Sequence, residues 1–161
     1  MANLFEKRNA EVSDSGYLYT FNDGNIAADG ITTSTGTTDS GAINEMFDNN
    51  NTTYYGVNRS AAGAGTVYLT INLLKRYDLA VVNAYFSGYL GSTGSTVTVT
   101  IQYSEDGTTW IDGPNVSRSS VGETFANYNA QVTLQYLRLK IYSTGPDPVA
   151  GRMYHLRVTK K

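Results

Sequence analysis

The sequence predicts an all-β fold, an antiparallel sandwich, and three observations predict it. Apolar and polar residues alternate with period two in several short runs. Turn residues separate those runs at regular spacing, and no amphipathic helical pattern lies between them. The composition agrees: 13 Tyr, 16 Gly and abundant Thr, Ser and Asn suit strands and turns, whereas a helical bundle would carry more Ala, Leu, Glu and Lys. With 161 residues and 17.5 kDa the chain fits one domain.

Residues 1–12 hold most of the N-terminal charge and suit a short helix or a docking arm. Tyr17, Tyr19 and Phe21 then alternate as a strand does. Asp23-Gly24 and Asp29-Gly30 are turn signals, and Thr32 to Ser40, almost entirely Thr, Ser, Gly and Asp, reads as a surface loop or extended arm. From Thr66 the signal strengthens, because Val67, Leu69, Ile71 and Leu73 alternate with polar neighbours and define a half-buried strand. Leu79 to Phe86 reads as a separate strand covered on both sides, followed by a Gly-rich connection from Ser87 to Gly94. Val97, Val99, Ile101 and Tyr103 form the next strand. Leu137, Leu139 and Ile141 form another, and Tyr154, Leu156 and Val158 the last. The division expected is an N-terminal arm with first strand over residues 1–40 and a sandwich over 41–161.

Charge and composition exclude much chemistry. A net charge of −2 provides no positive field for a phosphate backbone or an anionic membrane, so neither nucleic acid nor membrane insertion is expected. Zero Cys removes disulfides, thiolate zinc sites and a Cys nucleophile, and a single His removes a His-rich metal centre. No Gly-x-Ser-x-Gly elbow and no phosphate-cradling Gly loop occur, and many carboxylates stand in turns such as Asp106-Gly107 and Asp112-Gly113. No catalytic residue is assigned, and a non-enzymatic protein is expected. Met1 to Arg8 contains no apolar run of signal-peptide length, so the expectation is a chain that starts at its own Met and is made in the cytoplasm.

The run Tyr103-Ser104-Glu105-Asp106-Gly107-Thr108-Thr109-Trp110 resembles the discoidin family, also called coagulation-factor type C. Phe47-Asp48-Asn49-Asn50-Asn51-Thr52-Thr53-Tyr54-Tyr55 resembles that family's Asp-Gly loop. Tyr68 to Leu74 resembles the strand ending in its Asp-Leu-Gly signature, and Tyr136 to Leu139 and Leu156 to Val158 resemble its last two strands. The likeness covers about residues 42–159. It implies a galactose-binding-like jelly roll in which Asp106-Gly107 makes a tight turn and Trp110 folds back as a core piece beside Tyr103, against the strand of Val97, Val99 and Ile101. Several positions depart from the pattern: Asn49 replaces a Gly, Tyr55 a Trp, Asn72 the Asp and Leu74 the Gly of the signature, and His155 a Glu.

The resemblance also implies candidate sites. Asp48, Asn50 and Thr53 offer oxygens close in sequence for a structural calcium, although only Asp48 is charged and His155 is a poor calcium ligand; a plain polar turn is the alternative. Sugar recognition requires an aromatic face and planar hydrogen-bonding groups, and Tyr54, Asn58, Arg59, Tyr89 and Arg118 are the candidates on predicted loops. The function expected is a binding or structural module. Its first reading is a virion surface protein of a tailed phage, either capsid decoration or a tail or fibre adhesin. There the N-terminal arm docks on capsid or tail proteins and the sandwich faces outward, with surface glycans as further partners and homo-oligomers allowed. The alternative is a stand-alone, lectin-like carbohydrate-binding protein.

Overall fold

A computed structural model describes residues 31–34, 37–48, 50–59, 63–145 and 148–159. Tyr17, Tyr19, Phe21 and the docking arm of residues 1–12 lie outside the described residues. Eight strands follow in order: β1 (Ile31–Thr33), β2 (Thr37–Ser40), β3 (Tyr55–Arg59), β4 (Gly65–Leu90), β5 (Val97–Ser104), β6 (Ile111–Arg118), β7 (Gly122–Ser143) and β8 (Val149–Thr159). A single 3-10 turn, Ile43–Met46, interrupts them among the described residues. None of their helices is long and apolar enough to cross a membrane.

All pairings are antiparallel, in the order β2-β3-β8-β4-β7-β5-β6, with β1 added on β4. The two long strands make a sandwich of this one ladder. Residues 65–72 of β4 pair with 136–143 of β7, and residues 80–90 of β4 pair with 122–132 of β7, with shifts of register between. The later part of β4 also pairs β8, which leads on to β3 and β2, and this is the front sheet. The earlier part of β4 pairs β1, while the later part of β7 pairs β5 and then β6, and this is the back sheet. The antiparallel jelly-roll sandwich expected from the sequence is therefore the fold.

Burial follows the alternation. Val82, Phe86, Met153 and Leu156 point inward from the front sheet, and Leu69, Ile71, Val99, Ile101, Leu139 and Ile141 meet them from the back. The layers approach closely where Gly88 pairs Gly151, because a Cβ on Gly151 would stand 2.7 Å from Ile141 Cδ1 and one on Gly88 3.2 Å from Val99 Cγ2.

Four expectations are corrected or refined. Thr66–Leu73 and Leu79–Phe86 are one continuous bent strand, since register shifts carry the ladder across the bend. The later part alternates between core and outer face; it is not covered on both sides. Within the segment read as a surface loop or extended arm, Thr32 and Thr33 belong to β1 and Thr37 to Ser40 to β2, which give each sheet a short edge strand. Trp110 is not a core piece. It is half-buried on the outer face of the back sheet, where the Arg138 guanidinium lies 3.7 Å from its ring centroid and Tyr136 meets it edge-on at 6.5 Å. Gln102 opposite Asp112 and Tyr103 opposite Ile111 put the residue before Ile111 on the outward side, so the turn delivers the indole to the surface. The turn itself forms as expected: Asp106 Oδ1 accepts from the Thr108 and Thr109 amides at 2.8 Å, Gly107 has φ 76°, and those amides hold the Asp106 carboxyl well below the usual carboxylate range.

Two measurements check this packing. Gly151→Ala forces a methyl against Ile141 and should lower the unfolding free energy by about 1–3 kcal/mol in urea titrations. An unchanged midpoint would contradict the close approach. Burial pushes the phenols of Tyr77 and Tyr128 up to about 12, for Tyr128 with help from Tyr103. Their folded values lie above the unfolded value near 10, so the folded state holds its protons longer and stability falls as pH rises from about 10 to about 12. Stability that stays flat across that window would contradict their burial.

Candidate functional site

The outer face of the front sheet collects the residues that point away from the core. Tyr85, Ser87 and Tyr89 on β4 stand opposite Asn127, Phe125 and Glu123 on β7 and, across the other edge, opposite His155, Arg152 and Ala150 on β8. An irregularity in β8 between the partners of Tyr85 and Phe86 adds Tyr154 to the same face. Tyr54, just before β3, closes over it, with its ring 5.1 Å from that of Tyr154.

At the centre lies an ion pair. Arg152 Nη1 donates to Glu123 Oε2 at 3.0 Å, both side chains being less than one-fifth exposed. Glu123 Oε1 accepts from the Tyr154 hydroxyl at 2.7 Å and from the Ser87 hydroxyl. A carboxylate this covered needs those donors, since a buried charge without partners is strongly destabilising. The guanidinium is sandwiched between the Tyr54 and Tyr89 rings, 4.5 and 4.4 Å from their centroids. Burial disfavours the Arg152 cation, but Glu123 and Tyr54 outweigh it and hold the group above its ordinary value. Burial first, then Glu123, raises the Tyr154 phenol to about 12, so it remains a donor at neutral pH. Beside the pair, Phe125 stacks on Tyr85 with centroids 5.5 Å apart, and both rings pack on Tyr154 at 5.6 Å. Phe125 is 45% exposed, so this apolar surface faces solvent.

Of the five ligand candidates from the sequence, Tyr54 and Tyr89 are brought together across Arg152. Asn58, opposite Ala150 in β3, lies half-buried at the margin of the same face. Tyr89, Asn58 and Arg59 stand on strands, not on the predicted loops, and Arg118 ends β6. Arg59 turns inward: it is 4% exposed and donates to the Gly63 and Gly145 carbonyls at 2.6 and 3.2 Å. Arg118 spans the turn before β7, donating to the carbonyls of Ser120, Val121 and Glu123. The sequence reading missed Tyr85, Glu123, Phe125, Arg152 and Tyr154. The alternation of Tyr85, Ser87 and Tyr89 against Ala84, Phe86 and Gly88 was the signal for the first part.

The Asp48 to Thr53 loop borders the face. Asp48 Oδ1 accepts from the Asn50 amide at 2.8 Å and Oδ2 from the Thr53 hydroxyl at 2.7 Å, while Asn50 Oδ1 accepts from the Thr52 amide at 3.0 Å. Asp48, Asn50 and Thr53 thus converge, with their oxygens hydrogen-bonded to one another and to the loop backbone. No group of three His, Cys, Asp or Glu side chains suited to a metal occurs among the described residues. Burial and then Arg157 lower the His155 imidazole below its ordinary value, against a weaker upward pull from Asp48.

Several solved structures are similar to this chain. One is CBM32-3 from a family 31 glycoside hydrolase of Clostridium perfringens, at 18% identity over 92% of this chain and 97% of that one, with a TM-score of 0.47. A second is chitosan-binding module 1 from the chitosanase/glucanase of Paenibacillus sp. IK-5, at 20% identity, 80% and 92% coverage and a TM-score of 0.48. A third is the CBM32 of AlyQ in complex with 4,5-unsaturated mannuronic acid, at 19% identity, 81% and 94% coverage and a TM-score of 0.46. No curated protein matches. The family model of the F5/8 type C domain matches residues 30–153, from the start of the described strands into β8, and the chain belongs to that family.

Proposed function

We propose that the protein is a non-enzymatic, lectin-like carbohydrate-binding module whose ligand lies on the outer face of the front sheet. One observation carries the reading: five aromatic rings gather at one ion pair there, those of Tyr54, Tyr89 and Tyr154 against it and those of Tyr85 and Phe125 packed beside it on Tyr154. Sugars present C–H faces that pack on rings and hydroxyls that bond planar polar groups, and this face offers both. Family membership supports a binding module, and the carboxylates of Asp106 and Glu123 are engaged in a turn and an ion pair, where structure accounts for them. Surface glycans are accordingly the proposed partners. The virion-surface reading depends on a docking arm outside the described residues, so the lectin-like reading has the greater support.

The test is affinity electrophoresis through gels containing neutral polysaccharides, with the wild type and the Phe125→Ala and Tyr85→Ala variants. Retardation should fall at least about tenfold in apparent affinity for each variant while the thermal melt of the exposed Phe125 variant stays close to wild type. Equal retardation of all three proteins would refute this face as the site.

For the Asp48 to Thr53 loop, a structural calcium would be held by the Asp48 carboxylate with oxygens of Asn50 and Thr53. The loop's own hydrogen bonds complete the turn, so we expect chelator and excess calcium to give the same melting temperature. A chelator-induced drop, abolished in Asp48→Asn, would assign the loop to the ion.

A further inference from the structure

The outer face of the front sheet continues past Phe125. Continuing along β7 and β4, the outward positions become Asn127, beside Tyr85, and then Asn129 opposite Asn83, with Arg157 beyond Asn83 on β8. Asn127 and Asn129 are exposed and Asn83 is half-buried. Rings and amides therefore form one continuous strip along the paired strands β4 and β7. From Glu123 to Asn129 that strip runs six residues, roughly 20 Å, or about four pyranose rings laid end to end.

Resting on the carbohydrate-binding reading above, we infer that the site takes an uncharged oligosaccharide chain lying along β4 and β7, and not only a single terminal sugar. The chemistry divides along the strip. Phe125 and Tyr85 supply the apolar surface against which a ring packs, and Asn83, Asn127 and Asn129 each supply a carbonyl acceptor and an amide donor that match vicinal hydroxyls without attracting charge. At the near end Arg152 and Glu123 are engaged with each other, so neither charge is left unpaired to recruit a uronate or sulfate. One terminal sugar covers the ring end alone. The amides come into play only when the chain continues past it.

Isothermal titration with gluco-, manno-, galacto- and N-acetylglucosamine oligomers of one to six rings tests the length. For the series that binds, affinity should rise at least about tenfold between one and four rings and then level off. Asn83→Ala and Asn129→Ala should remove most of that gain while leaving monosaccharide affinity unchanged, whereas Phe125→Ala should weaken every length. A monosaccharide bound as tightly as the tetrasaccharide, or a length dependence indifferent to both Asn variants, would overturn the extended site and leave glycan binding standing. Failure of every oligomer to bind would overturn both readings. Circular dichroism of the Asn variants, whose substituted side chains lie on the outer face, separates loss of binding from loss of fold.

Discussion

Two strands serve both layers of this sandwich, and that constraint shapes everything else. A side chain's face is set by its position modulo two, so a strand that crosses from one layer to the other can lose its phase with the core. In β4 the inward residues are odd-numbered before the bend, as at Leu69 and Ile71, and even-numbered after it, as at Val82 and Phe86. β7 changes in the opposite sense, from Val132 and Leu134 to Leu137 and Leu139. The register shifts between Asn72, Tyr77 and Ala80 accomplish the change, and they need backbone outside the β region. Leu74 and Leu79 have φ of 68° and 50°, left-handed values that a side chain adopts at some cost. Leu74 stands where the resemblance implies Gly, and Asn72 Oδ1 accepts from its amide at 2.8 Å, which helps to hold that conformation.

Rephasing also decides what each layer shows to water. Both outer faces use the same device, an arginine laid between two aromatic rings: Arg152 between Tyr54 and Tyr89 in front, Arg138 between Tyr68 and Trp110 behind. Their polar partners differ. Arg138 donates to Gln102 Oε1 at 2.6 Å, and Gln102 in turn donates to Asp112, so its positive charge is met by a neutral amide. Arg152 meets a carboxylate directly, and that carboxylate collects two hydroxyls as well. The front face consequently concentrates hydrogen-bonding groups beside exposed rings, while on the back face the arginine serves as a brace between two rings.

How much of this is legible in the sequence depends on which side of a strand carries the information. Core-facing residues are large and apolar, so Val67 to Leu73, Val97 to Tyr103 and Leu137 to Ile141 can be read directly. The first part of β7 turns small residues such as Ala126 and Ala130 toward the core and leaves Phe125 outside, which inverts the usual contrast and hides the strand. Arg152 and Glu123 lie 29 positions apart and meet only through the pairing of β4 with both neighbours, which no local pattern encodes. Tyr54 and Tyr89 were recognisable as aromatic residues near chain reversals, yet their shared partner was not. Arg59 and Arg118 looked equally available; long side chains can turn back onto carbonyls, and composition gives no sign of it.

The outward stack at Trp110 has a spectroscopic consequence. As the chain's single tryptophan, it supplies the indole emission, and it lies against a cation and beside a tyrosine ring instead of within hydrocarbon. Its emission therefore reports the stack with Arg138 directly, and it follows the apolar interior only when melting separates β7, which carries Arg138, from the β5–β6 turn, which carries Trp110. A protein whose fluorescence changes before its circular dichroism has released its surface brace first, with the sandwich beneath still closed.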